Sequence, residues 1–167
     1  MRFFHISDLH IGKRVNGFSM LEDQKLILQQ ILDLAEKYCP DGVLIAGDLY
    51  DKSMPSGEAV ETADEFLFQL SRQGIPVWAV SGNHDSPERI AYGARMMDQA
   101  GIHMSRVFDG KLQRHTFTDK KGGTVDLYLL PFIKPGTVRK FFPQETIMTT
   151  QEAVSLVLGQ ERLLEDR

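Results

Sequence analysis

The sequence predicts an α/β domain built on a parallel sheet, and three observations lead there. Short apolar runs at Arg2–Ser7, Val43–Ala46 and Ile75–Val80 alternate with segments of helical periodicity. Each run is followed at once by a segment rich in Asp, Asn, His and Gly: Asp8-Leu9-His10, then Gly47-Asp48-Leu49-Tyr50-Asp51, then Gly82-Asn83-His84-Asp85. The 167 residues are 42% apolar and 25% charged, the make-up of a globular domain with a core of its own. Strand–helix alternation implies parallel strands joined by right-handed crossovers. Ligands of such sheets gather at the carboxyl ends of the strands, where all three polar segments fall.

Each element has its own signal. Arg2–Ser7 is short, aromatic and branched, and reads as a buried strand. Asp8–Phe18 holds Gly12, Asn16 and Gly17 and reads as a loop. Ser19 and Glu22 have capping-box spacing and open a helix to about Tyr38, with Leu28, Ile31, Leu32, Ala35 and Tyr38 on one side. Pro40-Asp41-Gly42 turns the chain into the second strand. Ser56 caps a helix through about Arg72, with Val60, Ala63, Leu67 and Leu70 at helical spacing. Gly74 stops it before the third strand. Ser86, with Pro87 at the first helical position, opens a helix through about Gln99, and Gly101 closes it. Beyond it, His115–Thr118 and Thr124–Leu130 flank Asp119-Lys120-Lys121-Gly122-Gly123 as a hairpin. Pro131, Pro135 and Pro143 punctuate the next stretch. Thr149 and Glu152 form a second capping box before a last helix carrying Ala153, Val154, Val157 and Leu158.

Composition excludes several classes. No apolar run approaches the ~20 residues that span a bilayer. The amino terminus has no signal-peptide pattern, and Cys39, the single cysteine, cannot form an intrachain disulfide. A cytoplasmic protein without a membrane partner is expected. The net charge is −4, but it is unevenly spread. Eleven acids face four bases between Glu22 and Arg72, and eight bases face three acids between His103 and Lys140.

The three polar segments carry the chemistry. Asp8 and His10 stand two apart at the end of a strand, where residues i and i+2 point the same way, so a carboxylate and an imidazole can reach one ion. Asp48 has two oxygens and can bridge two ions, and Gly47 frees the turn before it. Asn83 offers a neutral carbonyl oxygen. Mixed oxygen and nitrogen ligands without thiolate suit Mn, Fe, Mg or Zn. His84, beside Asn83, can donate a proton to a leaving oxygen or stabilise negative charge. Asp51 can hold the His84 ring in its useful tautomer. Asp85 is left to cap or hydrogen-bond the following turn. His5, His103 and His115 match no ligand spacing and read as structural, Cys39 as an inert thiol, and Met96 and Met97 as packing.

Taken together, the segments resemble the first three motifs of the calcineurin-like metallophosphoesterases. Ser-Asp-Leu-His-Ile-Gly-Lys, Ala-Gly-Asp-Leu-Tyr-Asp-Lys and Ser-Gly-Asn-His-Asp-Ser-Pro-Glu-Arg, with the later Leu130-Pro131-Phe132-Ile133-Lys134-Pro135, narrow the resemblance to the SbcD family of DNA nucleases. The resemblance implies a four-layer α/β/β/α sandwich and two divalent metal ions, usually manganese. It places Asp8 and His10 on one ion, Asp48 between the two and Asn83 on the other, with His84 assisting the leaving group. It further implies 3′–5′ exonuclease action on DNA ends and endonuclease action on hairpins. A coiled-coil ATPase of the SbcC type is the implied partner, and a homodimer is expected through helices at Glu58–Arg72 and Pro87–Gln99. The family's Gly-His and Gly-His-x-His motifs do not occur here. Residues 1–167 therefore read as the N-terminal portion of a longer phosphoesterase domain, expected to bind metal weakly and cleave little alone. Two other readings remain open: a phosphoesterase acting on small substrates such as cyclic nucleotides or phosphoproteins, and a non-catalytic dimerisation module.

Overall fold

In the computed structural model, which describes residues 1–160, the first expected strand forms as β1 (Phe3–Ile6). The loop after it carries a small antiparallel ribbon, β2 (Arg14–Val15) and β3 (Phe18–Ser19). Asn16 and Gly17 turn it with φ of 49° and 86°, the Asn-Gly hairpin signal that the loop reading passed over. Helix α1 (Leu21–Tyr38) begins at Met20 and not through the expected capping box. Ser19 is held in β3, and Glu22 turns instead to Lys25 at 2.7 Å. Leu21, Leu28, Leu32 and Ala35 are buried, whereas Tyr38, expected inside, is exposed at the helix end.

Strand β4 (Gly42–Ala46) leads to helix α2 (Gly57–Arg72), where the Ser56 hydroxyl accepts from the Ala59 N–H at 3.3 Å. The buried line of α2 is Ala59, Ala63, Phe66, Leu67 and Leu70, and Val60, expected in the core, lies on its outer flank. Strand β5 (Val77–Val80) follows. The single helix expected over Pro87–Gln99 is two short ones, α3 (Pro87–Ile90) and α4 (Ala94–Met97), then a 3-10 turn at Asp98–Ala100. Gly93, at φ 74°, breaks it, since a left-handed residue cannot continue a right-handed helix. Strand β6 (Ile102–Met104) is too short for periodicity to reveal and was not expected. Strands β7 (Gln113–Thr118) and β8 (Thr124–Leu129) form the expected hairpin. Helices α5 (Pro135–Val138) and α6 (Thr150–Gln160) end the described chain. The second capping box forms: the Glu152 carboxylate accepts from Thr149 N–H at 3.0 Å, and the Thr149 hydroxyl accepts from Glu152 N–H at 3.2 Å.

Strands β1, β4, β5 and β6 make one parallel sheet in that order, with Phe4 opposite Val43, Val43 opposite Val77 and Val77 opposite Ile102. Those side chains share one face with Ile45, Ala79 and Met104, and they pack with the buried lines of α1 and α2 as the main core. Each such Val, Leu or Ile stabilises the fold by about 1.5–3 kcal/mol through area removed from water. The other face presents Phe3, Trp78 and His103 to the hairpin. Phe117 meets Phe3 and Trp78 edge-on at 5.9 and 5.2 Å, and His103 stacks on Trp78 at 5.4 Å. Tyr128 and Leu130, on the hairpin's outer side, join Val138, Ala153 and Val157 in a second, smaller core. Helices, sheet, hairpin and helices thus succeed one another in the layer order of the expected sandwich. Among the described residues the second sheet is the hairpin alone, and no helix is long and apolar enough to cross a membrane.

Candidate metal centre

The site is assembled where β1, β4 and β5 end. Past β1 and β4 the backbones stay paired: Asp8 N–H donates to Gly47 O at 3.1 Å, His10 N–H to Asp48 O at 2.9 Å and Ile11 N–H to Leu49 O at 2.9 Å. This pairing fixes the first segment against the second before any side chain acts. It also bends the chain, because Asp8, His10 and Asp48 all have positive φ, of 56°, 44° and 51°. Asp8 and His10 therefore converge through two left-handed residues, and not through the extended i, i+2 alternation expected from the sequence. Non-glycine residues pay for such a conformation with about 1–3 kcal/mol each, and they cluster where function needs a fixed geometry.

Glycines make room for Asp48. A Cβ on Gly82 would lie 2.0 Å from Asp48 Oδ1 and 2.3 Å from its backbone nitrogen. Gly47 passes so close to Gly82 that a Cβ there would lie 3.1 Å from the Gly82 Cα. The second and third segments touch backbone to backbone, and only glycine allows it. Asp48, 6% exposed, accepts the His84 N–H at Oδ1 at 2.9 Å.

The side chains meet over this frame. His10 Nε2 lies 3.7 Å from Asp8 Oδ1 and 3.9 Å from Asp48 Oδ2. His10, Asp48 and His84 can each offer one ligand atom, all within 4.8 Å of one another. The two imidazoles meet edge-on, with ring centres 4.7 Å apart. Asn83 is exposed and lines a cleft together with Asp8, Asp48, Gly82 and Phe132. The buried His10 Nδ1 has no hydrogen-bond partner, its nearest acid being Asp51 at 3.7 Å. Carboxylates, imidazoles and an amide, with no thiol among them, fit a hard or borderline divalent cation.

Asp51 does not orient His84 in the expected way. Its carboxylate lies by His10, while its backbone carbonyl meets His84 Nδ1 at 2.9 Å. A carbonyl oxygen only accepts, so His84 Nδ1 carries a proton and Nε2 is left for a second partner. The orienting role survives, but it belongs to the main chain at residue 51.

Two residues do more than the sequence disclosed. The buried Asp85 carboxylate accepts from Gly82 N–H at 2.8 Å, Leu49 N–H at 3.1 Å and Tyr50 N–H at 2.9 Å, locking the third segment to the second. Its position in a four-residue polar run was the only signal. Gln24, from α1, accepts from Gly12 N–H at 2.9 Å and donates to Leu9 O and His10 O at 3.0 and 2.7 Å. Nothing in the sequence singles it out, since a glutamine on a helix is ordinary surface. Burial, with Asp85 and Asp64 nearby, pushes the Tyr50 phenol up, so it stays a neutral donor.

Comparison with known proteins agrees with this geometry. The model of the calcineurin-like phosphoesterase family matches residues 1–159. The SbcD chain of the SbcCD nuclease from Staphylococcus saprophyticus is 33% identical over 160 residues, covering 95% of this chain and 41% of that relative. The corresponding SbcD chain from Staphylococcus epidermidis is 36% identical over 162 residues, covering 96% and 42%. The chain thus spans about two fifths of the length of these curated relatives.

Proposed function

This chain belongs to the calcineurin-like phosphoesterase family, and from that premise we propose that it carries the first half of the metal site of an SbcD-type DNA nuclease. The observation that carries the reading is the convergence of Asp8, His10, Asp48 and His84 from three strand ends within a few ångströms. The likeness to two SbcD nuclease chains along nearly the whole sequence supports DNA as the substrate. The eight bases between His103 and Lys140 supply charge suited to a phosphate backbone.

In this reading Asp8 and His10 hold one cation, Asp48 bridges and Asn83 holds a second, with Mn²⁺ the preferred ion. When bound, such ions polarise a phosphodiester and supply a nucleophile at neutral pH. The chain's own residues do the rest. Asp48 is aimed by the Gly47–Gly82 contact and by the His84 N–H. His84, fixed through Nδ1 by the carbonyl of residue 51, presents Nε2 to the departing oxygen, where the doubly protonated ring gives up a proton. Asp85 and Gln24 hold the loops in register and touch no substrate.

The proposed partners are a coiled-coil ATPase of the SbcC type, as the relatives' names indicate, and a second copy of the chain. Val60 and Phe68 form one exposed apolar stripe on α2, and Tyr92 and Met96 are 83% and 71% exposed on the broken segment after it. These residues support a dimer surface.

Titration calorimetry with Mn²⁺ tests the site. Asp48→Ala is expected to abolish binding, and His84→Ala to leave most of it; equal loss in both would refute the assigned roles. Residues 1–167 contain no Gly-His pair, so cleavage is assayed with the chain carried in a protein of its relatives' full length. Hairpin DNA and bis-p-nitrophenyl phosphate are the substrates, and turnover of the small ester alone would sink the DNA reading and favour the small-substrate alternative.

A further inference from the structure

The largest groove among the described residues lies away from the metal centre, between α1 and α2. It encloses about 720 Å³. Its floor is apolar, from Leu21, Leu28 and Leu32 on one side and Phe66 on the other. Its rim is acidic. Glu58, Glu61 and Glu65 follow one another along α2 at spacings of three and four, so they line one edge of the helix, and Glu22 stands across from them on α1.

Lys25 is the single base in the groove, and it is already taken by Glu22 at 2.7 Å. The same lysine is pushed up, first by its hydrogen bond to Glu22 and then by the charges of Glu22, Glu58 and Glu61, so the field of the α2 acids reaches across the groove. Glu58 and Glu61 form no ion pair among the described residues. Three like charges on one helix edge repel one another, and folding alone gives no reason to gather them over an apolar trough. A cationic occupant removes that repulsion and covers the trough at once.

We propose that the α1–α2 groove is a docking site for a basic amphipathic helix of a partner protein. The shape favours a helix over an extended strand. The trough is bounded by two helices and offers no strand edge with free backbone groups. From Leu21 to Leu32 it runs about 16 Å at 1.5 Å per residue, the length of three turns. Such a partner places apolar side chains at i, i+3 or i+4 and i+7 onto Leu28, Leu32 and Phe66, with Lys or Arg flanking them over the glutamates. The site is separate from the proposed dimer surface. On α2 the groove edge at Glu58 and Thr62 lies on one flank of the buried line, and Val60 and Phe68 lie on the other.

Fluorescence anisotropy tests this with a labelled amphipathic leucine–lysine peptide of about 12 residues, the span of the trough as a helix. The purified chain is expected to bind it, and to bind a scrambled peptide of the same composition far more weakly. Glu58→Gln/Glu61→Gln/Glu65→Gln, on an exposed rim, should keep the far-ultraviolet spectrum and melting point and weaken the amphipathic peptide by about tenfold or more. A matched control, Asp33→Asn/Glu36→Gln/Glu145→Gln, should bind like the original chain. Equal weakening in the two triple variants, or equal affinity for the two peptides, would reduce the effect to general charge and overturn the proposal. Absence of binding to the original chain would do the same. Light scattering closes the remaining route: self-association that vanishes in the groove variant would make a second copy the occupant, against the proposal.

Discussion

Beneath the parallel sheet, Val43, Val77, Ala63 and Leu70 are fully buried in an apolar layer that satisfies every local preference. At the carboxyl edge of the same strands the rules invert. Three non-glycine residues sit at positive φ, and the buried His10 Nδ1 and Ser81 Oγ lack hydrogen-bond partners. The two regions are continuous in the chain, with Ala79 and Ser81 two residues apart. The lower layer stabilises the domain, and the edge uses part of that stability to hold polar groups in a geometry they would not choose. What keeps the edge in place is backbone pairing between segments together with Asp85, not hydrophobic packing.

The largest blow to the lower layer is Phe66→Ala, which empties a site 2% exposed. It should cost about 3–5 kcal/mol in urea unfolding, yet leave Mn²⁺ affinity per folded molecule unchanged. A parallel loss of affinity would show that the two regions are not separable. Asp85→Ala strikes the seam between them. It leaves three backbone donors without their carboxylate and should cost about 2–3 kcal/mol, and here metal affinity should fall with stability. If calorimetry on that variant shows unaltered binding, the loop-locking role of Asp85 is wrong.

Gly82→Ala acts on the edge alone. Its Cβ must displace Asp48, so Mn²⁺ binding should be lost for an unfolding cost of only about 1–3 kcal/mol. Retained binding would mean that the close approach of Gly47 and Gly82 is not what aims Asp48. The smallest effect lies on the hairpin face. Burial, then the His103 and Arg106 charges, push the His115 imidazole below its ordinary range, with Asp98 acting in the opposite sense. The unfolded chain then binds the proton more readily than the folded one. Stability should therefore be at full strength above about pH 6.5, the ordinary histidine value, and decline as pH falls from there through the lowered value. Replacing the ring with His115→Gln should flatten that part of the pH–stability curve by less than about 1 kcal/mol, and an unchanged slope would assign the decline to other groups.

The hairpin and the metal segments differ in how legible they were. Alternation around Asp119–Gly123 marks both strands of the hairpin, and the capping box at Thr149 and Glu152 forms as written. The same logic failed at Ser19 because the residue was already committed to the β2–β3 ribbon, and failed over Pro87–Gln99 because Gly93 ends the first helix early. Each failure is a local signal overruled by a neighbouring residue.

By itself the sequence determined the ligand types, their order and their place at strand ends, because apolar runs must be buried and the polar segments after them must emerge at one edge. It could not determine that Asp8 and His10 converge through left-handed turns, that the residue 51 carbonyl and not its carboxylate holds His84, or that Asp85 and Gln24 bind the loops together. Those depend on backbone groups from segments 12 to 36 residues apart, and hydrogen bonds between them exist only once the strands are paired. Tertiary structure alone also gathered the glutamates of α1 and α2 over one apolar trough.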